Sequence, residues 1–312
     1  MVTGGAGFIG SHLVEALVRR GRKVRVLDNL FSGNLKNLEA VSGKIEFIKG
    51  DIRDQADLRK AAKKVEVIFH QAALRSVPKS VGNPGEYHEV NATATLHLLR
   101  IAKEEGVRRV VYASTSSIYG DKTPLPQQEI FYPRPFSPYA ASKLAGEFYC
   151  ALFARLYRLE TVALRYFNVF GPRQSLENQY AVVVPKFITC LLNGRPPPIH
   201  GDGRQTRDFT YVENVVQANL KASVAPRAVG EVFNVAGGSR HSVLKLAELL
   251  ARKIGTKIKP QFIAVRPGDV QDTWADLRKS RRLLGYRATV PFEKGLDRTI
   301  EWFSRNRPVW GG

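Results

Sequence analysis

The sequence predicts an α/β fold, a doubly wound parallel sheet covered by helices on both faces, with a smaller, mixed α/β lobe toward its C-terminal end. Three observations carry this expectation. Up to about residue 170, short β-branched runs alternate with helical patterns; a glycine triplet separates the first run from the first helix; later, Pro- and Gly-dense stretches such as NGRPPPIHGDGRQ end the alternation.

The first strand is short, because the chain opens at Met1-Val2-Thr3, and this predicts a weak middle of the sheet. The helix GSHLVEALVRRG follows and stops at Gly21, and the strands KVRVLD, KIEFIKGD and VEVIFHQAA come next. ATATLHLLRIAKEEG is a second helix, ending at Gly106; both glycines suit the left-handed position that closes a helix. RRVVYAST and TVALRYFN are the remaining strands of the regular part, and the helix YAASKLAGEFYCALFARLY lies between them. The segments DFTYVENVVQANLKAS and EVFNVAG predict a return to the sheet at about 208–236. Residues 1–166 are therefore expected to form the first domain and 167–312 mainly the second.

The chain has 312 residues, 44% of them hydrophobic, enough for a large domain with a companion. No apolar run reaches membrane length and no leader pattern opens the chain, so neither a span nor a signal peptide is expected. Cys150 and Cys190 have no CxxC partner, which argues against a disulfide framework or a zinc site and points to a reduced, cytoplasmic setting. The formal net charge of +20 invites a nucleic-acid reading. The cations are spread, however, from Arg19, Arg20, Arg22, Lys23 and Arg25 through Lys63 and Lys64 to Arg278, Lys279, Arg281 and Arg282, and no recognition motif accompanies them. They read as solvated helix faces whose field would favour a small anionic substrate.

MVTGGAGFIGSHL spaces Gly4, Gly7 and Gly10 at three-residue intervals between strand and helix. Such a turn brings backbone amides and a helix N-terminus to a pyrophosphate. KVRVLD ends in Asp28, 18 residues after Gly10, where a carboxylate accepts both hydroxyls of an adenosine ribose and repels a 2′-phosphate. NAD is thus expected rather than NADP, in a Rossmann-type domain. Phe8 and Ile9 in the glycine turn, then Asn29, Ser32 and Gly33, are candidate cofactor contacts. So are Asp51, facing the adenine edge, with Ile52, and Gln71 with the small Ala72 and Ala73.

SPYAASKLAGE puts Tyr139 and Lys143 on one helix face. An ammonium there is expected to lower the phenol pKa and make a base of a group that ordinarily titrates near 10.

With TGGAGFIG, DN, GDI, HQAA, YAASK and RYFNVFGPRQ in order, the chain resembles the extended short-chain dehydrogenase/reductases, most closely the UDP-glucose 4-epimerase branch of the nucleotide-sugar epimerase/dehydratase family. The likeness runs over essentially the whole length. It implies an NAD-binding Rossmann domain, a UDP-sugar-binding lobe, Tyr139 as acid/base, Lys143 as its partner and ribose ligand, and Thr115 on the sugar oxygen beside Ser116. It further implies Asn91 as a supporting amide, Tyr166 and Phe167 near the nicotinamide, and Asn168 at the substrate diphosphate. GDGRQTRDF and RPGD resemble the UDP-holding segments, offering Arg204, Gln205, Arg207 and Arg266 toward the phosphates and Asp269 to the uridine ribose; Arg75 is a further candidate.

Dehydratases of this family follow the threonine with an Asp-Glu pair, and the decarboxylases carry a glutamate two residues after it. Here those places are Ser116 and Ser117, so the resemblance implies reversible oxidation at a single carbinol rather than elimination. Where some relatives restrict the sugar pocket with a tyrosine, this chain has Thr273, which predicts room for an N-acetyl group. UDP-glucuronate epimerisation, a reductase, and an idle nucleotide-sensing or RNA-binding relative remain alternatives. The family's habit is a homodimer built on a helix pair that would include YAASKLAGEFYCALFARLY.

Overall fold

A computed structural model of the chain describes residues 1–175, 183–265 and 270–306. Its elements begin with β1 (Val2–Thr3), α1 (Phe8–Arg19), β2 (Val24–Asp28), β3 (Ile45–Lys49), α2 (Gln55–Ala62) and β4 (Val67–His70). Then come α3 (Val77–Gly82), α4 (Pro84–His88), α5 (Ala94–Glu104), β5 (Arg109–Thr115), α6 (Pro138–Tyr157), β6 (Glu160–Tyr166) and β7 (Val169–Phe170). The second part holds α7 (Val183–Leu192), β8 (Pro198–His200), β9 (Thr206–Asp208), β10 (Thr210–Tyr211), α8 (Val212–Ala222) and β11 (Val232–Val235). It ends with β12 (Arg240–Ser242), α9 (Val243–Ile254), β13 (Gln261–Ile263) and α10 (Phe292–Arg305).

Seven strands make one parallel sheet in the order β11-β6-β5-β4-β1-β2-β3. The winding reverses between β1 and β4, which opens a crevice at the C-terminal ends of those strands. Leu13 and Val14 of α1, with Val215 and Ala218 of α8, bury one sheet face; Leu58, Leu98 and Phe153 of α2, α5 and α6 bury the other. A third apolar cluster, with Phe187, Ile188, Leu246, Leu250 and Leu296, joins α7, α9 and α10.

The short first strand is held on both sides. Val2 and Thr3 are fully buried, and the ladder runs on past the strand ends through Phe69 N–H to Met1 C=O (2.9 Å) and Gly4 N–H to Leu27 C=O (2.9 Å). Gly21 and Gly106 close their helices at φ +70° and +69°, the role their position in sequence predicts. Of the expected return to the sheet, α8 covers a face and β11 adds an edge strand beside β6. Thr210–Tyr211 instead pairs with β7 in a separate two-stranded ladder. No described helix is long and apolar enough to cross a membrane. Several of the basic residues form widely separated ion pairs, among them Arg25–Glu46 and Lys279–Glu231, both at 2.7 Å.

Among the described residues, one ion pair has both side chains buried in the interior. Arg165 on β6 donates to Glu147 on α6 at 2.9 and 3.0 Å, the two side chains being 5% and 3% exposed. The Ser114 hydroxyl also donates to Glu147, and the guanidinium lies over the Tyr119 ring at 4.7 Å. Removing one partner strands a buried charge, so Arg165→Leu is expected to cost about 3–5 kcal/mol in chemical denaturation. Leucine at both Arg165 and Glu147 should recover most of that loss; equal midpoints for the single and double variants would show that the pair is not coupled.

Candidate active site

The crevice at the C-terminal edge of the sheet widens into a cleft of about 1590 Å³, with walls from the sheet domain and from the segments that follow β6. At one end lies the glycine turn. Gly7 caps α1, and the turn has no room for side chains: a Cβ on Gly10 would lie 2.1 Å from the Gly4 carbonyl oxygen, and one on Gly4 2.7 Å from the Ala72 nitrogen. The start of α1 is thereby left open to an anion.

Asp28 ends β2 and accepts from the Ala6 amide at 2.9 Å and the Leu30 amide at 2.8 Å, which fixes both oxygens and holds Leu30 at φ +62°. Burial pushes its carboxyl up from the usual range. Each oxygen keeps a lone pair for a ribose hydroxyl. Arg53 and Asn29 both donate to Asp51, at 2.8 and 2.9 Å, and this company draws Asp51 down to about 2. Phe8, Ile9, Ser32, Gly33, Ile52, Ala72 and Ala73 share this wall. Gln71 also lines it and is held by Asn219 (3.0 Å) and by the Tyr166 hydroxyl (3.2 Å). A glycine cradle followed by a fixed carboxylate fits NAD.

Asn91 does not line the cleft. It lies in a short π-helical segment, Glu89–Thr93, and its amide engages Leu74 N and O at 2.9 Å and Ser142 at 3.1 Å. It therefore braces the wall from behind rather than meeting the cofactor. Phe167 is likewise fully buried, against Tyr119 at 6.1 Å, while Tyr166 lines the cleft.

Helix α6 begins at Ser137, whose hydroxyl accepts from the Ala140 amide at 3.1 Å, and its first two turns deliver Tyr139 and Lys143 to the cleft. Tyr87 meets the Tyr139 ring edge-on at 6.4 Å. Burial pushes the Tyr139 phenol up; a hydrogen bond with Thr115 and the charge of Arg75 draw it back. The spacing predicts Lys143 in that acidifying role. Instead the Lys143 ammonium lies 4.2 Å from the centroid of the Tyr112 ring on β5, and burial lowers it to about 7. Helical spacing aligns the two Cβ atoms, but a long side chain goes where packing leads it, here along β5.

Behind the lysine, His70 is bonded at both ring nitrogens, to Thr3 at 2.7 Å and Thr95 at 3.0 Å, and burial holds it neutral, at about 3. Thr115 ends β5, accepts from the Ser117 amide and donates to the Ser117 hydroxyl, both at 3.1 Å. Ser116 and Ser117 complete this wall with hydroxyls and no carboxylate.

Toward the other end, Asn168 sits at φ +33°, and its amide donates to Thr273 at 2.9 Å and to the Asp208 carbonyl at 3.3 Å. Gln205 is tied to the His200 carbonyl at 2.7 Å, and Arg207 to the Thr206 and Gln271 carbonyls at 2.9 and 3.0 Å; both line the cleft, as does Arg75. Arg204 does not. Its side chain is 86% exposed and faces Asp202 at 3.6 Å, in the turn before β9 where the Arg204 amide also donates to the Asp202 carboxylate at 2.9 Å. Arg266 and Asp269 lie outside the described residues.

Sequence reasoning misses Tyr87, Tyr112 and Arg173. Arg173, at φ +66°, binds the Asn37 carbonyl at 3.2 Å and pairs with Glu15, tying the segment after β7 to α1. Arg173 stands inside the motif RYFNVFGPRQ without being singled out there, and no local pattern marks Tyr87 or Tyr112; Glu147, one turn beyond Lys143, could have been found by helical spacing.

Residues 1–236 match the NAD dependent epimerase/dehydratase family. A UDP-glucose 4-epimerase of Mycolicibacterium smegmatis is 41% identical over 98% of both chains. Among solved structures, a UDP-N-acetylglucosamine 4-epimerase of Methanobrevibacter ruminantium superposes with a TM-score of 0.94 at 40% identity, covering 98% of this chain and 97% of that one. A UDP-glucose 4-epimerase of Thermotoga maritima, solved with UDP-glucose, gives 0.93 at 37% identity over 98% of each. With its glycine cradle, its Tyr139–Lys143 helix and these relatives, the chain belongs to the NAD-dependent epimerase/dehydratase family, within the extended short-chain dehydrogenase/reductases.

Proposed function

We propose that the protein interconverts C4 epimers of a UDP-hexose by transient oxidation to the 4-keto sugar. The observation that carries this reading is the wall around Tyr139: an acid/base phenol beside Thr115, with Ser116 and Ser117 where further proton-transfer groups for elimination would stand. NAD, held by the Gly4-Gly7-Gly10 turn and Asp28, would supply the hydride acceptor and donor that this oxidation and its reversal need.

Tyr139 takes the proton of the sugar 4-hydroxyl as hydride leaves and gives it back on return. Thr115 orients that oxygen. Arg75 supplies the positive charge that draws the phenol toward its phenolate. Asn168, Gln205 and Arg207 grip the diphosphate, so the nucleotide stays anchored while the keto hexose turns over. Beneath Asn168, the small Thr273 keeps the pocket open to UDP-GlcNAc and UDP-GalNAc as well as UDP-glucose and UDP-galactose. On α6, Phe148, Leu152 and Leu156, at 57%, 45% and 62% exposure, form an apolar stripe that supports a homodimer built on this helix.

Purified protein given UDP-galactose, UDP-GalNAc or UDP-glucuronate without added NAD, and read by NMR, is expected to invert C4 of the first two. Inversion confined to UDP-glucuronate would replace the neutral-hexose reading. Tyr139→Phe should lower turnover by about 10²–10⁴-fold, and a loss under tenfold would remove the phenol from the mechanism.

The lysine gives a pH signature. Its folded pKa of about 7 lies below the ordinary 10.5, so between those values the unfolded chain binds the extra proton and stability rises with pH. Relative to Lys143→Met, the cofactor-free protein should gain denaturation midpoint from pH 7 toward 10, with no gain below 7. Parallel curves for the two proteins would show Lys143 to be titrating normally.

A further inference from the structure

Tyr112 touches both ends of Lys143. Its hydroxyl donates to the Lys143 carbonyl at 3.2 Å, and its ring face lies 4.2 Å from Nζ. The ring is fully buried in the centre of β5. The helix leaves a slot for it: a Cβ on Gly146 would lie 2.2 Å from the Tyr112 hydroxyl oxygen, so any larger residue there would drive the ring off the lysine.

The surroundings hold little else to keep an ammonium charged. Among the described residues no ion pair involves Lys143. Cys150 and Glu147 on the same helix favour the charged lysine, but Cys150 is a buried thiol whose burial keeps it protonated and Glu147 is already engaged by Arg165 and Ser114. From β4, His70 packs against the same tyrosine at 5.8 Å with both nitrogens bonded, so it is neutral and offers no negative charge. On the cleft side stand Tyr139 and, beyond it, Arg75 and Tyr87.

We propose that Tyr112 is the positioning residue of the site, its aromatic face holding the Lys143 side chain in place and in its charged form. The inference rests on the proposed function, with Lys143 in the ribose-ligand role that the family resemblance implies. The physics is the attraction of a cation to the ring quadrupole, which strengthens when water is excluded. The phenolic hydroxyl fixes the helix backbone, while the ring face fixes the charge.

The two parts separate by chemistry. In protein labelled with ¹³Cε-lysine, the Lys143 resonance is identified by its absence in Lys143→Met, and its titration is followed with Tyr112 as tyrosine, phenylalanine, 4-fluorophenylalanine and pentafluorophenylalanine. These rings keep the shape, so folding is preserved while the quadrupole is weakened and finally reversed. The midpoint should stay within about 0.3 of the parent for phenylalanine and fall by about half a unit or more across the fluorinated series. The alkaline limb of kcat should move to lower pH by the same steps.

A midpoint that is unmoved by fluorination, or one that moves as far with phenylalanine as with the fluorinated rings, would overturn the proposal. Failure of the underlying reading looks different: Lys143→Met would then turn over UDP-sugar as the parent does, whatever the ring series shows.

Discussion

The exclusion of water around the first turns of α6 is the constraint on which the rest of the site depends. It raises the Tyr139 phenol and depresses the Lys143 ammonium together, so in the ligand-free protein both groups are biased toward neutrality. A phenol and an amine that are both neutral make a poor base. From outside the pair, Arg75 draws the phenol back down, and the Tyr112 ring face lies against the ammonium.

That dry pocket has to be held between segments far apart in the chain. Asn91 reaches from a π-helical turn to Leu74 and Ser142, and thereby fixes the segment after β4 to α6. The Arg165–Glu147 pair welds α6 to β6 beneath the lysine. Arg173, bound to α1 near the glycine turn, carries the same rigidity toward the sugar-facing side, where Thr273 and Asp208 lock the Asn168 amide. Such buried polar braces contribute little net stability, but they leave few alternative arrangements of the cleft.

The resemblance to UDP-sugar epimerases fits this picture at the level of chemistry. The distinctive local feature is the hydroxyl-only wall of Thr115, Ser116 and Ser117, which provides hydrogen bonds without a second titrating group. On the proposed reading, a single proton-transfer residue suits a reaction that reverses itself on a bound sugar.

The sequence by itself determined the parallel sheet, the helix stops at Gly21 and Gly106, the glycine cradle, the carboxylate of Asp28 at the end of β2 and the placing of Tyr139 and Lys143 on one helix face. Each follows from short-range physics: periodicity, left-handed backbone at glycine, and one turn of helix. Only the tertiary structure decided where the long side chains go. It turned Lys143 onto Tyr112, put Arg75 in its place beside Tyr139, sent Arg204 to solvent and set Asn91 behind the wall. Burial and the partners of a flexible side chain come from strands and helices distant in the chain, and no spacing within one segment encodes them.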